Sequence, residues 1–207
     1  MAPGTSISPL AFRCTACGNC CRKLRVAVTA LDVARLAAAT GAAPGSLVAW
    51  LAPDAVDMTG EPESFVELSE GRRLMTLRQR DDACQLLGAD NRCGAYAARP
   101  RDCRTFPFDF VEPPSQAGPR RLTLLPLDDC DYALDGEQDA AALDADDRAR
   151  WSELRDYQAL VARWNRHAFH RRRLQRAIGN ADRFLAFALN QASYESGAAS
   201  SSNALSR

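Results

Sequence analysis

The sequence predicts an α+β fold in which a small cysteine-rich domain of short strands and helices is followed by C-terminal α-helices packed on it. Two observations lead to this prediction. Residues 13–138 combine short apolar runs with turn-forming residues and hold all eight cysteines. From residue 139 onward, apolar residues recur three or four apart with Arg and Asp between them, which is typical of amphipathic helices.

The chain has 207 residues, which suits one domain with a helical appendage. We expect four segments: a flexible arm over 1–12, the cysteine-rich domain over 13–138, a helical region over 139–195 and a disordered tail over 196–207. The tail is small and polar, a composition that is typical of disorder.

Capping, turn and periodicity signals define the elements of the cysteine-rich domain. Thr29 is suited to cap the start of a helix, Asp32 lies in its first turn, and Gly41 ends it. The expected elements are a helix over Thr29–Ala39, a short helix from Pro44 through Leu51, strands over Phe65–Leu68 and Leu74–Arg78, a hairpin over Cys84–Cys93, a helical turn from Arg99 that carries Cys103, a loop around Pro113, Pro114 and Pro119, and a strand over Leu122–Leu127.

Two amphipathic helices are predicted in the C-terminal region. The first runs over Asp144–Arg171 with an apolar stripe that includes Trp151 and Trp164, and the second runs over Phe184–Tyr194. Because both tryptophans are too apolar to leave exposed on a lone helix, we expect this region to pack on the cysteine-rich domain.

Seven of the eight cysteines fall into two groups, one spaced C-x-x-C-x-x-C-C and the other C-x8-C-x9-C. Thiolates are strong ligands for soft metals, and a fold rarely crowds this many thiols together for packing alone. The alternative is a set of ordinary buried cysteines, since free cysteine is among the most buried residue types. We predict a metal centre whose candidate ligands are Cys14, Cys17, Cys20, Cys21, Cys84, Cys93, Cys103 and Cys130.

The spacing favours an iron–sulfur cluster and leaves a mononuclear zinc or iron ion open. Cysteines at i, i+3 and i+6 in a glycine-containing loop occur in ferredoxin-type loops, whereas zinc ribbons usually supply two C-x-x-C pairs. On an extended backbone Cys20 and Cys21 would diverge, so one of them is expected to face a second centre or to be a redox-active spare. Eight cysteines fit two sites of four, or one four-thiolate site with extra thiols.

Neither cysteine group easily completes a four-thiolate shell alone. We therefore expect the two groups to converge in space, although Cys21 and Cys84 lie 63 residues apart (84 − 21). Cys130 would then close the set. Metal binding would be coupled to the folding of residues 14–103.

Three arginines, Arg99, Arg101 and Arg104, lie beside Cys103 in the sequence. They are placed to hydrogen-bond cluster sulfurs, to lower a thiol pKa or to hold an anionic cosubstrate. The alternative is that they pair with carboxylates such as Asp102.

Charge and hydropathy exclude several classes of protein. The 26 basic and 26 acidic residues give zero net charge, so no overall field attracts nucleic acid or anionic lipid. His167 and His170 are predicted to lie on a solvated helix face. No apolar run approaches the ~20 residues that span a bilayer, and the N-terminus lacks a secretory signal pattern. We expect a cytoplasmic protein with no nucleic-acid or membrane partner, where eight cysteines favour metal ligation over disulfides.

These cysteine motifs resemble the YkgJ-type cysteine-cluster family, which is also described as a zinc- or iron-chelating domain. The resemblance covers about residues 12–135. It rests on the stretches Cys14–Arg22, Thr29–Asp32, Cys84–Leu87 and Cys93–Phe108. It implies cysteine-bound zinc, iron or an iron–sulfur cluster. Family members often have Cys-Pro-Gly after the last strand, where this chain has Cys130-Asp131-Tyr132.

The resemblance implies two kinds of function. The same cysteine pattern occurs in the flagellin lysine-N-methylase group, which is iron–sulfur dependent and uses S-adenosylmethionine. The centre would then be catalytic or redox-active, and the most specific form of this hypothesis is methylase-like modification of a protein substrate. The alternative is a non-enzymatic structural or metal-handling module whose helices form a partner-binding surface. An open coordination position would favour the first, and a closed four-thiolate shell the second.

Overall fold

The computed structural model describes residues 11–56, 61–111, 120–125, 130 and 132–204, and it has the predicted α+β fold. The predicted loop around Pro113, Pro114 and Pro119 lies outside the described residues, as do most of the predicted arm and the end of the predicted tail. The elements are β1 (Arg13–Cys14), α1 (Asn19–Lys23), α2 (Ala30–Thr40), α3 (Pro44–Leu47), β2 (Val48–Leu51), β3 (Val66–Leu68), β4 (Gly71–Leu77), β5 (Gln79–Arg80), β6 (Ala83–Cys84), α4 (Arg101–Thr105), β7 (Phe108–Val111), β8 (Arg121–Leu124), β9 (Tyr132–Ala133), α5 (Ala140–Arg173) and α6 (Ala181–Ala204).

Contacts divide the chain into two compact units, each made of two segments. Unit 1 comprises Met1–Leu24 with Arg80–Ser152, and unit 2 comprises Arg25–Gln79 with Glu153–Arg207. Helix α5 contributes its first turns to unit 1 and its remaining turns to unit 2. The predicted division at residue 139 follows chain order. The units do not, because they depend on long-range pairing that composition does not reveal.

Unit 2 is built on an antiparallel sheet with strand order β2-β4-β3. Val48 of β2 pairs with Leu77, and Val66 of β3 pairs with Arg73. The two strands predicted on either side of the Ser69–Gly71 turn are confirmed as β3 and β4. The short helix predicted to reach Leu51 is wrong after Leu47, since pairing with β4 draws the next four residues into a strand and overrides their local preference.

Helix α2 begins and ends where its capping residues predict. The Thr29 hydroxyl accepts a hydrogen bond from the Asp32 amide at 3.2 Å, and the Asp32 carboxylate accepts one from the Thr29 amide at 3.0 Å. Gly41 ends the helix in the left-handed region at φ 69°. Arg35, on the same helix, bonds to Asp32 and to Glu153 of α5, which ties α2 to α5 within unit 2.

The sheet edge formed by β3 is covered by side chains of α5. Asn165 Oδ1 accepts a hydrogen bond from the Glu67 amide at 2.8 Å, and its Nδ2 donates to the Phe65 carbonyl at 2.9 Å. Trp164 Nε1 donates to the Glu67 carbonyl at 2.8 Å. The Asn165 amide thus takes the place of a neighbouring strand on an edge that would otherwise leave its backbone groups unpaired. The core of unit 2 includes Val33, Leu36, Val48, Val66, Leu68, Leu74, Met75, Val161 and Phe184.

Unit 1 has a smaller apolar core between two short strand pairs, β1–β9 and β7–β8. Phe12, which the sequence assigns to the flexible arm, is buried there against Phe108, Leu122 and Leu143. A buried arginine, Arg120, joins this region to the first turns of α5 through ion pairs with Asp144 and Asp147.

Both predicted C-terminal helices are present, and both are longer than predicted. Helix α6 continues to Ala204, through residues that the sequence assigns to a tail. Helix α5 packs on strand β3 through Trp164, whose Nε1 bonds to the Glu67 carbonyl, but Trp151 is 41% exposed, so its predicted burial is wrong. The Arg150 guanidinium lies 4.7 Å from the Trp151 ring and partly covers it. No helix in the described part of the chain is long and apolar enough to cross a membrane.

Candidate metal centre

All eight cysteines belong to unit 1, and none of them forms a disulfide. Cys14 is exposed and the other seven are partly buried. Strand β1 carries Cys14, helix α1 carries Cys20 and Cys21, strand β6 carries Cys84, and helix α4 carries Cys103. The predicted helical turn with Cys103 is therefore confirmed.

The first cysteine loop is shaped by Gly18. Its φ of 75° is in the left-handed region, and a Cβ added there would lie 2.6 Å from Arg22 Nη1 and 3.3 Å from Asn91 Cβ. Glycine is therefore required both for the backbone conformation and for the close approach of Asn91. The turn that follows Gly18 begins helix α1 at Asn19.

Arg22 and Asn91 fasten the first cysteine loop to the second group. Arg22 Nη1 donates to the Cys17 carbonyl at 3.1 Å, and Nη2 donates to Asn91 Oδ1 at 2.5 Å. Asn91 lies at the tip of the predicted hairpin, between Cys84 and Cys93. The sequence reasoning missed this clamp. Its only signal was Arg22 directly after the cysteines and an asparagine suited to a left-handed turn position.

The hairpin between Cys84 and Cys93 is confirmed. The Gly88 amide donates to the Arg92 carbonyl at 2.8 Å, and Leu87 forms a β-bridge with Cys93. Asn91 has a φ of 63°, and its amide donates to the Gly88 carbonyl at 3.0 Å. The turn therefore holds Asn91 at the tip, within reach of Arg22.

Cys130 lies against the first cysteine group. Its Sγ is 3.7 Å from Cys17 Sγ, although the two residues are 113 positions apart. Burial, the hydrogen bond with Cys17 and the charges of Cys14 and Cys20 raise the pKa of the Cys130 thiol to about 11. Cys130 is therefore the partner of Cys17, with Cys14 nearby.

Cys20 and Cys21 form a second close pair, with their Sγ atoms 4.0 Å apart. The predicted divergence of these neighbours assumed an extended backbone, but residues 19–23 form a helical turn and the prediction is wrong. The hydrogen bond from Cys21 lowers the pKa of Cys20 to about 6, whereas the same bond raises the pKa of Cys21. The shared hydrogen bond therefore favours a single thiolate in this pair.

The second cysteine group converges on this pair. Charge repulsion from Cys84 and Cys103 contributes to the raised pKa of Cys21, and repulsion from Cys93 and Cys20 contributes to that of Cys84. Burial is the main cause of the raised pKa values of Cys84 and Cys103. Helix α1, which carries Cys20 and Cys21, contacts strand β6, which carries Cys84, and Arg22 bonds to Asn91, so the two groups lie close together, as predicted. Among the residues that the structure describes, no three Cys, His, Asp or Glu side chains are already arranged around a common metal position.

Arg99 is an arginine whose charge acts on the thiols of Cys20 and Cys103. Burial is the main cause of the raised pKa of Cys103, and the positive charge of Arg99 opposes it. The hydrogen bond with Cys21 is the main cause of the lowered pKa of Cys20, and the charge of Arg99 adds to it. Its guanidinium lies 3.7 Å from the centre of the Tyr96 ring. A cation so placed favours thiolate forms near it.

The two other arginines beside Cys103 pair with a carboxylate. Arg101 bonds to Asp146 of α5, and Arg104 lies 3.5 Å from the same carboxylate. The predicted alternative of ion pairing therefore holds for both, with Asp146 as the partner. His167 and His170 are exposed, as predicted.

A unit that gathers eight thiols, none of them in a disulfide, from five separate stretches of chain defines a cysteine-rich metal-binding protein. The model of the CxxCxxCC family, described as a "putative zinc- or iron-chelating domain", matches residues 13–122, and the chain belongs to this family. The YkgJ-type resemblance is thereby confirmed. No curated protein and no solved structure matches the chain.

Two thiol pairs have the spacing expected of two thiolates on one zinc or iron ion. In a tetrahedral site with metal–sulfur distances of ~2.3 Å, neighbouring sulfurs are ~3.8 Å apart. The Sγ–Sγ distances of the two pairs, 3.7 Å and 4.0 Å, lie on either side of that value. Thiolates are also the preferred soft ligands for these metals.

Proposed function

We propose that the protein binds zinc or iron ions at two separate thiolate centres in unit 1. The observation that supports this proposal is that thiol pairs with tetrahedral-edge spacing occur twice, once at Cys17 and Cys130 and once at Cys20 and Cys21. This is the spacing of two thiolates on one metal, as at a mononuclear centre, whereas the thiolates of a four-iron cluster each bind a different iron and lie farther apart.

The two centres have different numbers of available thiols. The charges of Cys14 and Cys20 both act on the Cys130 thiol, and since Cys20 belongs to the second pair, Cys14 is the third thiol of the first centre. Cys84 and Cys103 lie near the second pair, which gives four, and Cys93 adjoins Cys84. Four-thiolate zinc sites are structural, whereas sites with three protein ligands keep an open position. The second centre would therefore stabilise the fold, and the first would hold an exchangeable ion.

This division gives the protein the role of a metal-handling module. The exposed Cys14 leaves the first centre open to exchange with solvent or with another protein. Any catalytic or redox role, including the methylase-like one, would use the open position of this first centre and stays a prediction. Eight cysteines outside disulfides also fit a reducing compartment, and we place the protein in the cytoplasm.

Single Cys→Ser variants test the two centres, because each removes one sulfur and differs only in position. The protein is purified anaerobically, its metal content is measured by mass spectrometry, and its thermal unfolding is followed by circular dichroism. Cys130→Ser should lose one of two bound ions with little change in Tm. Cys103→Ser should lose the other ion and lower Tm strongly, since a structural zinc site contributes ~10–16 kcal/mol apparent to folding.

Two outcomes would overturn this proposal. Full retention of both ions in Cys103→Ser and Cys130→Ser would show that neither is a ligand. Visible absorption that bleaches on reduction, with several irons per chain, would replace the mononuclear centres by an iron–sulfur cluster.

A further inference from the structure

The second part of α5 and the turn after it carry a concentrated positive charge. Residues 163–183 contain seven arginines and one acidic residue, Asp182, a net charge of +6 (7 − 1) in a chain of zero net charge. This segment belongs to unit 2, whereas all eight cysteines belong to unit 1. The metal centres therefore do not explain it. The arginines are Arg163, Arg166, Arg171, Arg172, Arg173, Arg176 and Arg183.

A cleft of about 190 Å³ lies within this segment. Its wall and floor include Trp164, Ile178 and Gly179, and the basic side chains that line it are those of His167, Arg171 and Arg183. An apolar surface lined by three basic side chains is suited to an anion carried on an apolar body.

The apolar wall of the cleft is held in place. A Cβ added at Gly179 would lie 2.5 Å from Cη2 of Trp164, so the indole ring rests directly against the backbone there. The ring is fixed by its Nε1 hydrogen bond to the Glu67 carbonyl at 2.8 Å and by an edge contact with Phe184. The wall is therefore pre-formed and does not depend on a ligand.

The basic side chains of the cleft are not neutralised. Arg171 Nε donates to the Ala177 carbonyl, which fixes the guanidinium beside the cleft. Within the described part of the chain, no carboxylate lies within ion-pair distance of Arg171, Arg183 or His167. By contrast, Arg172 of the same helix is paired with Glu67 at 3.0 Å. The cleft thus keeps at least two guanidinium charges for a ligand.

We propose that this cleft binds a phosphate monoester carried on a small apolar body. Guanidinium groups match phosphate oxygens with paired, charge-assisted hydrogen bonds, and a dianion suits two arginines. The volume is below the ~300–1,000 Å³ of sites for drug-sized ligands, so the cleft accepts one small group. A free small molecule and a phosphorylated side chain of another protein carry the same chemistry.

Calorimetric titration of the full chain, with its metal bound, tests the proposal at 0.15 M salt. Phenyl phosphate should bind more tightly than inorganic phosphate, and benzyl alcohol should not bind. Arg171→Gln and Arg183→Gln should each weaken phenyl phosphate binding at least tenfold, because each removes charge-assisted hydrogen bonds. Arg166→Gln is the matched control. It removes the same charge from the same helix at an exposed position that does not line the cleft, and should change the affinity less than about twofold because an exposed charge without direct contact is screened by salt.

Circular dichroism checks that each variant is folded. The affinity of Arg171→Lys for phenyl phosphate is measured as well, because lysine keeps the charge at this position but loses the paired hydrogen-bond geometry. No binding of phenyl phosphate at millimolar concentration would overturn the proposal. Equal weakening by Arg166→Gln would also overturn it, since it would show a general field without a site. A phosphotyrosine peptide should compete with phenyl phosphate. If the peptide binds more tightly than phenyl phosphate, the ligand is a phosphorylated side chain of a protein partner. If the two affinities are equal, the ligand is a free small molecule. Absence of competition would contradict a single site for both.

Discussion

Replacement of Asn165 tests how α5 holds the sheet of unit 2. Its side-chain amide accepts a hydrogen bond from the Glu67 amide at 2.8 Å and donates one to the Phe65 carbonyl at 2.9 Å. Alanine at this position removes both bonds and leaves two backbone groups of an edge strand without these partners. We predict that Asn165→Ala lowers the free energy of unfolding by about 2 kcal/mol.

The magnitude follows from the number and burial of the bonds. A typical protein hydrogen bond contributes ~1 kcal/mol net, and two are lost. Phe65 is 5% exposed, so its carbonyl regains little contact with water, which adds to the loss. The Trp164 bond to the Glu67 carbonyl remains, which keeps α5 against β3 and limits the effect.

Urea unfolding followed by tryptophan fluorescence and circular dichroism measures this change in metal-replete protein. Gln158→Ala is the matched control, since Gln158 lies on the same helix and donates a single hydrogen bond to the Ser64 hydroxyl at 3.1 Å. It should cost about half as much as Asn165→Ala, ~1 kcal/mol. A loss below about 0.5 kcal/mol for Asn165→Ala would refute the edge-covering role, because a single net hydrogen bond already exceeds it.

Two further predictions concern buried polar groups. Arg120, 7% exposed, pairs with Asp144 at 2.7 Å and Asp147 at 2.5 Å, so Arg120→Met should cost about 3 kcal/mol by removing the closest partner of the buried Asp147 carboxylate. Arg148→Ala, which breaks an exposed pair with Asp144, should cost less than about 1 kcal/mol in the same urea titration. The Tyr157 hydroxyl is buried and has no hydrogen-bond partner among the described residues, so Tyr157→Phe should keep or raise Tm at pH 7. Burial raises the pKa of Tyr157, so the stability that depends on its neutral hydroxyl is present below about pH 10 and is lost as the pH rises toward the raised pKa. The phenylalanine variant should lose less stability in that range. An equal loss in both proteins would contradict this prediction.

Elements set by local signals could be predicted from the sequence, and elements set by distant partners could not. Helix α2 lies where Thr29, Asp32 and Gly41 place it, because its capping bonds join residues three or four apart. Strand β2 was predicted as helix, since its pairing partner β4 begins about 20 residues later and nothing local to Val48–Leu51 reveals it. The same holds for Asn165, whose bonds reach about 100 residues back along the chain.

The candidate site shows the same limit. Cysteine type and spacing predict a thiolate centre and the convergence of two groups, because a metal needs more ligands than either group supplies. They do not predict that Cys17 lies beside Cys130, a separation of 113 residues, or that α1 turns Cys20 toward Cys21. Nor do they reveal that Asn91 receives the Arg22 clamp, since a turn asparagine has many roles.

X-ray absorption spectroscopy of the anaerobically purified protein, at the zinc and iron edges, tests the central claim most directly. The two thiol pairs predict about two metal ions per chain, each with a sulfur shell at ~2.3 Å and no scattering from a second metal. A shell of nitrogen and oxygen alone would contradict thiolate binding, and strong iron–iron scattering would contradict two mononuclear centres.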